Sequence, residues 1–400
     1  MADENKLAQA LNIMEMNGTV SEYNIFVKES KKNCEIDGEE KNITSAMIYG
    51  KIVAEINGES YEFSLSALDL GKHTKKGDEN KAFKGILTNL GYEYSYDQTK
   101  NKVVYNRVIE DKIIPKINGT ITFLYLDGSS EKVEIENGGR VATRINGKGR
   151  MSLKEGLNKD QTDLALFKEL VIKFISTDPS KVGEDKCSFV IDGFVYSLVD
   201  EMNNEGKSTG RVLTTIIVPN FFGIDSFDHF VVPKEWEIEN EDGEKVKVTS
   251  GQFKTFAKIG SSIRFVGDVD IRSIGGKQQV STGHFGAQSN VTSGFKAQDW
   301  SIKGGDTMKE PFDKKLVGEA YKQHQIVLDD HFKKRKADYI ESQKKKESKP
   351  QSQKGLGRSG NNSSFGSKPK VNDIKDPFGE EESKEGFMNI PDGIDEELPF

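Results

Sequence analysis

The chain has 400 residues, room for two or three domains, with a net charge of −7 and only 34% hydrophobic residues. Against the ~45–50% typical of globular chains (a figure that also counts Gly), this predicts a segment that does not pack, although 23 Phe and 11 Tyr leave enough for a core. No apolar run nears the ~18 residues of a membrane helix, and two cysteines, Cys34 and Cys187, are too few for a zinc ribbon, an iron–sulfur site or a disulfide framework.

The opening, MADENKLAQA, lacks the basic and apolar regions of a signal peptide, so a reduced cytoplasm is the expected compartment and no membrane partner is expected. From there to about residue 310 the chain reads mainly as β-structure. Alternating runs occur at Ala46–Ile56, Tyr61–Leu65, Gly119–Leu126, Lys132–Ile135, Ser188–Leu198, Val212–Val218 and Ser262–Ile271. Asn57-Gly58, Asn118-Gly119, Asp127-Gly128, Asn146-Gly147, Asp192-Gly193 and Asp242-Gly243 predict tight turns between strands, because these pairs accept positive φ. Short strands joined by such turns predict small barrels or sandwiches. One interruption, Lys159–Ile175, reads as a helix with Leu164, Phe167, Leu170, Val171 and Phe174 on one face, either joining two barrels or plugging one.

Residues 311–346 read as a charged surface helix opened by Pro311. Residues 347–385, rich in Lys, Ser, Gln, Gly, Asn and Pro, read as a disordered linker. Charge is segregated here: residues 331–370 carry +9 and residues 371–400 carry −8, leaving residues 1–330 at −8. A cationic surface on the body must therefore be local. Residues 386–400 end in an acidic, partly apolar tip, Asp395, Glu396, Glu397, Leu398, Pro399 and Phe400.

Catalytic and cofactor motifs fail on spacing or context. The five histidines lack ligand spacing, and Asp329-Asp330-His331 falls in the charged helix. Gly206-Lys207-Ser208 has Glu201 where a phosphate-binding loop needs its first glycine. Gly355, Gly357 and Gly360 satisfy G-x-G-x-x-G, but in linker rather than between a strand and a helix. Nothing argues for an enzyme or a cofactor.

Binding a single nucleic-acid strand needs cations along the phosphates and aromatic faces for the bases, at ~1–3 kcal/mol per stacked base. Lys72, Lys75, Lys76, Lys81 and Lys84 with Phe83 supply both, or are a solvated loop. Tyr92, Tyr94 and Tyr96 alternate, so they share one strand face, either core or binding groove. Between Gly138 and Met151, Arg140, Arg144, Lys148 and Arg150 occur without an acidic residue, among glycines that would let backbone approach a strand. The tip suits a tethered ligand, with Phe400 in an apolar pocket and the acids on a basic rim.

DEELPF after a Gly/Asn/Ser-rich linker resembles the C-terminal tip of bacterial-type single-stranded DNA-binding proteins, with Leu398 where Ile is commoner. GKI at 50–52, KKGDENKAFKGILT at 75–88, STGRVLTTIIVP at 208–219, KIGSSIRFVGDVDI at 258–271, GHFG at 283–286 and DWSIKGG at 299–305 resemble the long form carried by phages of low-GC Gram-positive bacteria. The resemblance implies one or two OB-type barrels, set here at residues 1–165 and 166–310, then helix, linker and tip. It implies a non-catalytic protein that coats single-stranded DNA in replication, recombination and repair and recruits proteins of those processes through the tip. Oligomeric state stays open, a homo-oligomer included. The alternative is a viral structural or scaffolding protein built of β-modules with charged assembly arms.

Overall fold

The computed structural model describes residues 7–347 apart from 37–38, 70–80, 98–101, 158–163, 204, 221–222, 240–242, 275–277, 284–285 and 292–294. In chain order the first half comprises β1 (Asn12–Ile36), β2 (Glu39–Ile56), β3 (Glu59–Asp69), α1 (Lys81–Asn89), β4 (Tyr92–Asp97), β5 (Lys102–Arg107), β6 (Asn118–Leu124), β7 (Ser130–Glu136), β8 (Arg144–Leu157) and β9 (Leu164–Ser176). The second comprises β10 (Lys186–Met202), β11 (Ser208–Asn220), β12 (Gly223–Val232), β13 (Glu235–Glu239), β14 (Lys245–Thr249), α2 (Ser250–Phe256), β15 (Ser262–Ile274), β16 (Gln278–Gly283), β17 (Gly286–Val291), β18 (Phe295–Thr307) and α3 (Lys314–Glu347).

Five strands of the first half close a barrel. β1 pairs β2, β2 pairs β3, β3 pairs β9 in parallel, β9 pairs β8, and β8 returns to β1. This is the strand order of an OB-type barrel, with α1 between its third and fourth strands. Alternation builds it: Ile48, Ile52, Ala54, Phe63, Leu65 and Ala67 point inward and are buried, while Lys51 and Glu62 between them face solvent. Phe83, Ile86 and Leu87 of α1 share a face at helical spacing and are buried in the same core. Phe83 is thus core, not a stacking platform.

The second half repeats the pattern. β10 pairs β11, β11 pairs β12, β12 pairs β18 in parallel, β18 pairs β15, and β15 returns to β10, with α2 in the place of α1. The two first strands pair with each other, Met14 opposite Phe189. On their other edges Met14 faces Gly149 and Phe189 faces Gly267, so the barrels can be aligned residue by residue. Irregularities then coincide: bulges at Val20/Glu22 and Val195/Ser197, and again at Lys148/Gly149 and Val266/Gly267. Each of the latter inserts a lysine on the fifth strand, Lys173 or Lys303. Across the seam, Tyr61 Oη donates to Val269 O at 3.0 Å and Lys168 Nζ lies 5.1 Å from the centroid of the buried Trp300 ring.

Three expectations are corrected. Residues 164–176 are strand β9, not helix: Leu170, Ile172 and Ile175 are buried while Phe167 and Phe174 are exposed. Because β9 closes the first barrel, the chain crosses to the second between Ser176 and Lys186, not at 165/166. Asn57-Gly58 makes the expected turn with φ of 51° and 80°, but Asn118-Gly119, Asn146-Gly147 and Asp192-Gly193 lie inside strands. These strand glycines answer to packing instead: a Cβ on Gly193 would come within 2.0 Å of Ile216 Cγ2. Linker and tip fall outside the described residues.

Candidate nucleic-acid interface

OB-type barrels bind oligonucleotides on the outer face of their second and third strands and at the adjoining loops. In the first barrel a row runs across that face in register: Asn24 on β1, Lys51 on β2, Ser64 on β3, Val171 on β9 and Arg150 on β8. One step along, Phe26, Tyr49 and Ser66 align, the two rings stacked at 5.2 Å. Lys173 reaches over from its bulge, Nζ donating to Ser66 O at 2.7 Å. Burial, reinforced by the Arg150 guanidinium, pushes its ammonium down to about 8. Beside it Phe174 sits opposite Lys148, 38% exposed, and Phe167 further along the strand is 50% exposed. Glu169 and Glu62 are acids on this face: Glu169 accepts a hydrogen bond from Ser64 Oγ, and Glu62 pairs with Lys51 at 2.6 Å.

Charge pairing separates Arg150 and Lys173 from the other cations, Lys51 included. Arg140 meets Asp111 at 2.6 Å, Arg144 meets Asp185 at 2.8 Å, and Lys148 lies 4.0 Å from Glu15, itself bound by Lys186. The run 138–151 lacks acids in sequence, yet folding supplies them from distant segments, so its expected uncompensated charge is corrected for three of its four residues. Arg150 and Lys173 have no ion-pair partner among the described residues. Two neighbouring cations without a counter-ion, beside an exposed ring, can hold phosphate and stack a base.

The remaining candidates scatter. Tyr92 is buried and packs 4.9 Å from Phe123, so no base can stack on it. Tyr94, half-buried, packs edge-on against Phe83 at 5.4 Å. Both fall on the core side of the alternative left open for the tyrosine face. Lys81 and Lys84 are exposed on α1. The side chain of Tyr96, together with Lys72, Lys75, Lys76 and the tip residues Asp395, Glu396, Glu397, Leu398, Pro399 and Phe400, lies outside the described residues. Sequence reasoning missed Lys51, Lys173, Phe167 and Phe174. The signal for Phe167 and Lys173 was present, since residues 164–176 read at period two place both opposite to Leu170 and Ile172; the same period puts Phe174 on the core face, and only the bulge at Lys173 turns it outward. Among the described residues, no group of His, Cys, Asp and Glu is arranged to hold a metal, and no helix is long and apolar enough to cross a membrane.

A family model described as YorF matches residues 129–334, about half of the chain, from β7 into α3. No curated protein matches. Among solved structures, the chain is similar to a deletion mutant of the single-stranded DNA binding protein from Thermus aquaticus, at 8% identity and a TM-score of 0.31, over 76% of this chain and 98% of that one. A likeness that loose assigns no function; the strand order and the charge on the face bear on it instead.

Proposed function

This chain belongs to the YorF family, and we propose that it binds single-stranded DNA without sequence preference along the outer face of its first barrel. The observation that carries this is the pair Arg150 and Lys173, set on an OB-type face beside Phe174 and with no acid partner among the described residues. Phosphates pair with the two cations and with Lys148; bases stack on Phe174 and Phe167. The bound strand is coated rather than cut, in replication, recombination and repair. The DEELPF tip recruits proteins of those processes, with Phe400 as its anchor. The stretches that resemble long phage single-stranded DNA-binding proteins favour a phage protein acting in the cytoplasm of its host.

The test is anisotropy of fluorescein-labelled oligo-dT titrated with full-length protein at two salt concentrations. Trp236 and Trp300 are both buried, so the label rather than intrinsic fluorescence must supply the signal. Affinity should fall with salt, with a log–log slope of about −0.7 for each phosphate neutralised. Arg150→Glu should weaken binding roughly tenfold or more, since removing an attraction to phosphate and adding a repulsion together exceed about 1.4 kcal/mol. Absence of binding at low salt, even with residues 386–400 removed, would overturn the proposal in favour of a structural protein.

A further inference from the structure

Resting on the strand-binding function proposed above, we infer that the DNA site is confined to the first barrel and that the second barrel, although it repeats the fold, has had the matching face closed. The residue alignment of the two barrels carries this. Where the first has Lys148 and Arg150, the second has Val266 and Asp268, followed two residues on by Asp270. Where the first has Phe174, the second has Gly304. The inserted lysine is kept, but Lys303 Nζ lies 3.7 Å from Asp270, whereas Lys173 meets no carboxylate among the described residues.

The same face is also covered. Helix α3 packs chiefly on β12 and also on β11, the third and second strands of that barrel, and touches β8 of the first. Its Val317 and Leu328 are buried, and Tyr321 lies 4.6 Å from Tyr196 of β10. Val231, on β12 between the inward-facing Phe230 and Val232, is only 3% exposed. At the fifth strand the β13–β14 hairpin adds a second cover, Trp236 Nε1 donating to Lys303 O at 2.5 Å. On the first barrel the helix against β3 is α1, whose Phe83, Ile86 and Leu87 are buried in the core. A phosphate chain approaching the second face would meet acids and a helix; the first offers cations and an exposed ring.

Full-length protein bound to an oligo-dT carrying 5-iododeoxyuridine, photocrosslinked and mapped by peptide mass, tests this directly. Adducts within residues 12–176 alone are expected, with a footprint inside the ~4–16 nucleotides of one OB-type barrel. Adducts anywhere in residues 186–400 would overturn the single-barrel site while leaving strand binding intact. No complex with the labelled strand at low salt would overturn both. A second measurement uses substitutions: Lys303→Glu should change oligo-dT affinity less than twofold, and Arg150→Glu should weaken it about tenfold or more. Equal losses from the two would sink the inference.

Discussion

At the scale of single residues, the alignment of the barrels shows one structural problem solved with two chemistries. In the first, buried Asn17 and Asn146 bond across β1 and β8, Nδ2 to Oδ1 at 2.8 Å. In the second the same positions hold Asp192 and Arg264, joined by two hydrogen bonds of 2.7 and 2.9 Å. Removing one partner of a charged pair strands a buried carboxylate, a larger cost than stranding an amide. The Arg264 side chain is 51% exposed, so water relieves part of that cost; Arg264→Ala should destabilise by about 1.5–3 kcal/mol and Asn146→Ala by about 1–3 kcal/mol, and urea unfolding of both variants measures the two. Lys173 supports a prediction about pH. Its ammonium is pushed down to about 8 in the free protein, and a phosphate beside it would raise that value, so binding takes up a proton above pH 8. Affinity for oligo-dT should thus be full near pH 7 and decline toward pH 9, and Lys173→Arg should flatten the decline. An unchanged pH profile in that variant would remove Lys173 from the DNA site. The same depression makes the folded state gain stability as pH rises from about 8 toward the ordinary lysine value, the unfolded chain then holding more protons.

At the scale of elements, the twin bulges decide where the candidate binding groups stand. An inserted residue breaks the period of two, re-aims the strand and pushes a lysine out of the ladder on both fifth strands. Gly149 is the residue that permits it: a Cβ there would come within 1.8 Å of Val171 O, a backbone atom that cannot swing away. Gly149→Ala should destabilise by about 1–3 kcal/mol through overpacking and weaken DNA binding as well, because Arg150 and Lys173 flank the shifted register. Thermal unfolding alongside anisotropy checks both effects. Strand β9 shows why its sequence misleads. Leu164, Phe167, Leu170, Val171 and Phe174 fit a helical face as well as they fit a strand, since short apolar runs satisfy both periods. The bulge at Lys173 then shifts the alternation by one, hiding the strand signal where it should be clearest. Asn-Gly and Asp-Gly pairs mislead for another reason: glycine serves close packing inside strands as readily as it serves turns.

At the scale of the molecule, two barrels share a continuous sheet through the β1–β10 pair yet diverge in surface chemistry. Duplication of a fold preserves the core and the bulges because both are needed to close a barrel; nothing in closure requires the same outer side chains. Charge acts at this scale too. A C-terminal segment of −8 on the same chain as the proposed cationic face would compete with DNA phosphates for it. Deleting residues 386–400 should therefore raise affinity for oligo-dT, most at low salt where screening is weak. Unchanged affinity at low salt would show that the tail and the face do not meet.

The β-rich composition, the alternation in most strands, the charged helix after residue 310 and the charge segregation were all determined by the sequence alone, because each depends on residues near one another in the chain. The tertiary structure decided which cations are free to bind. Arg140, Arg144 and Lys148 look uncompensated in sequence, but their acids come from Asp111, Asp185 and Glu15. Arg150 looks the same as they do and is left without an acid among the described residues, because its position on β8 faces Val171 and the neighbouring Lys173 instead. Ion pairing acts through space over a few ångströms, so only the fold, which brings distant strands to that range, could separate a spare charge from a satisfied one.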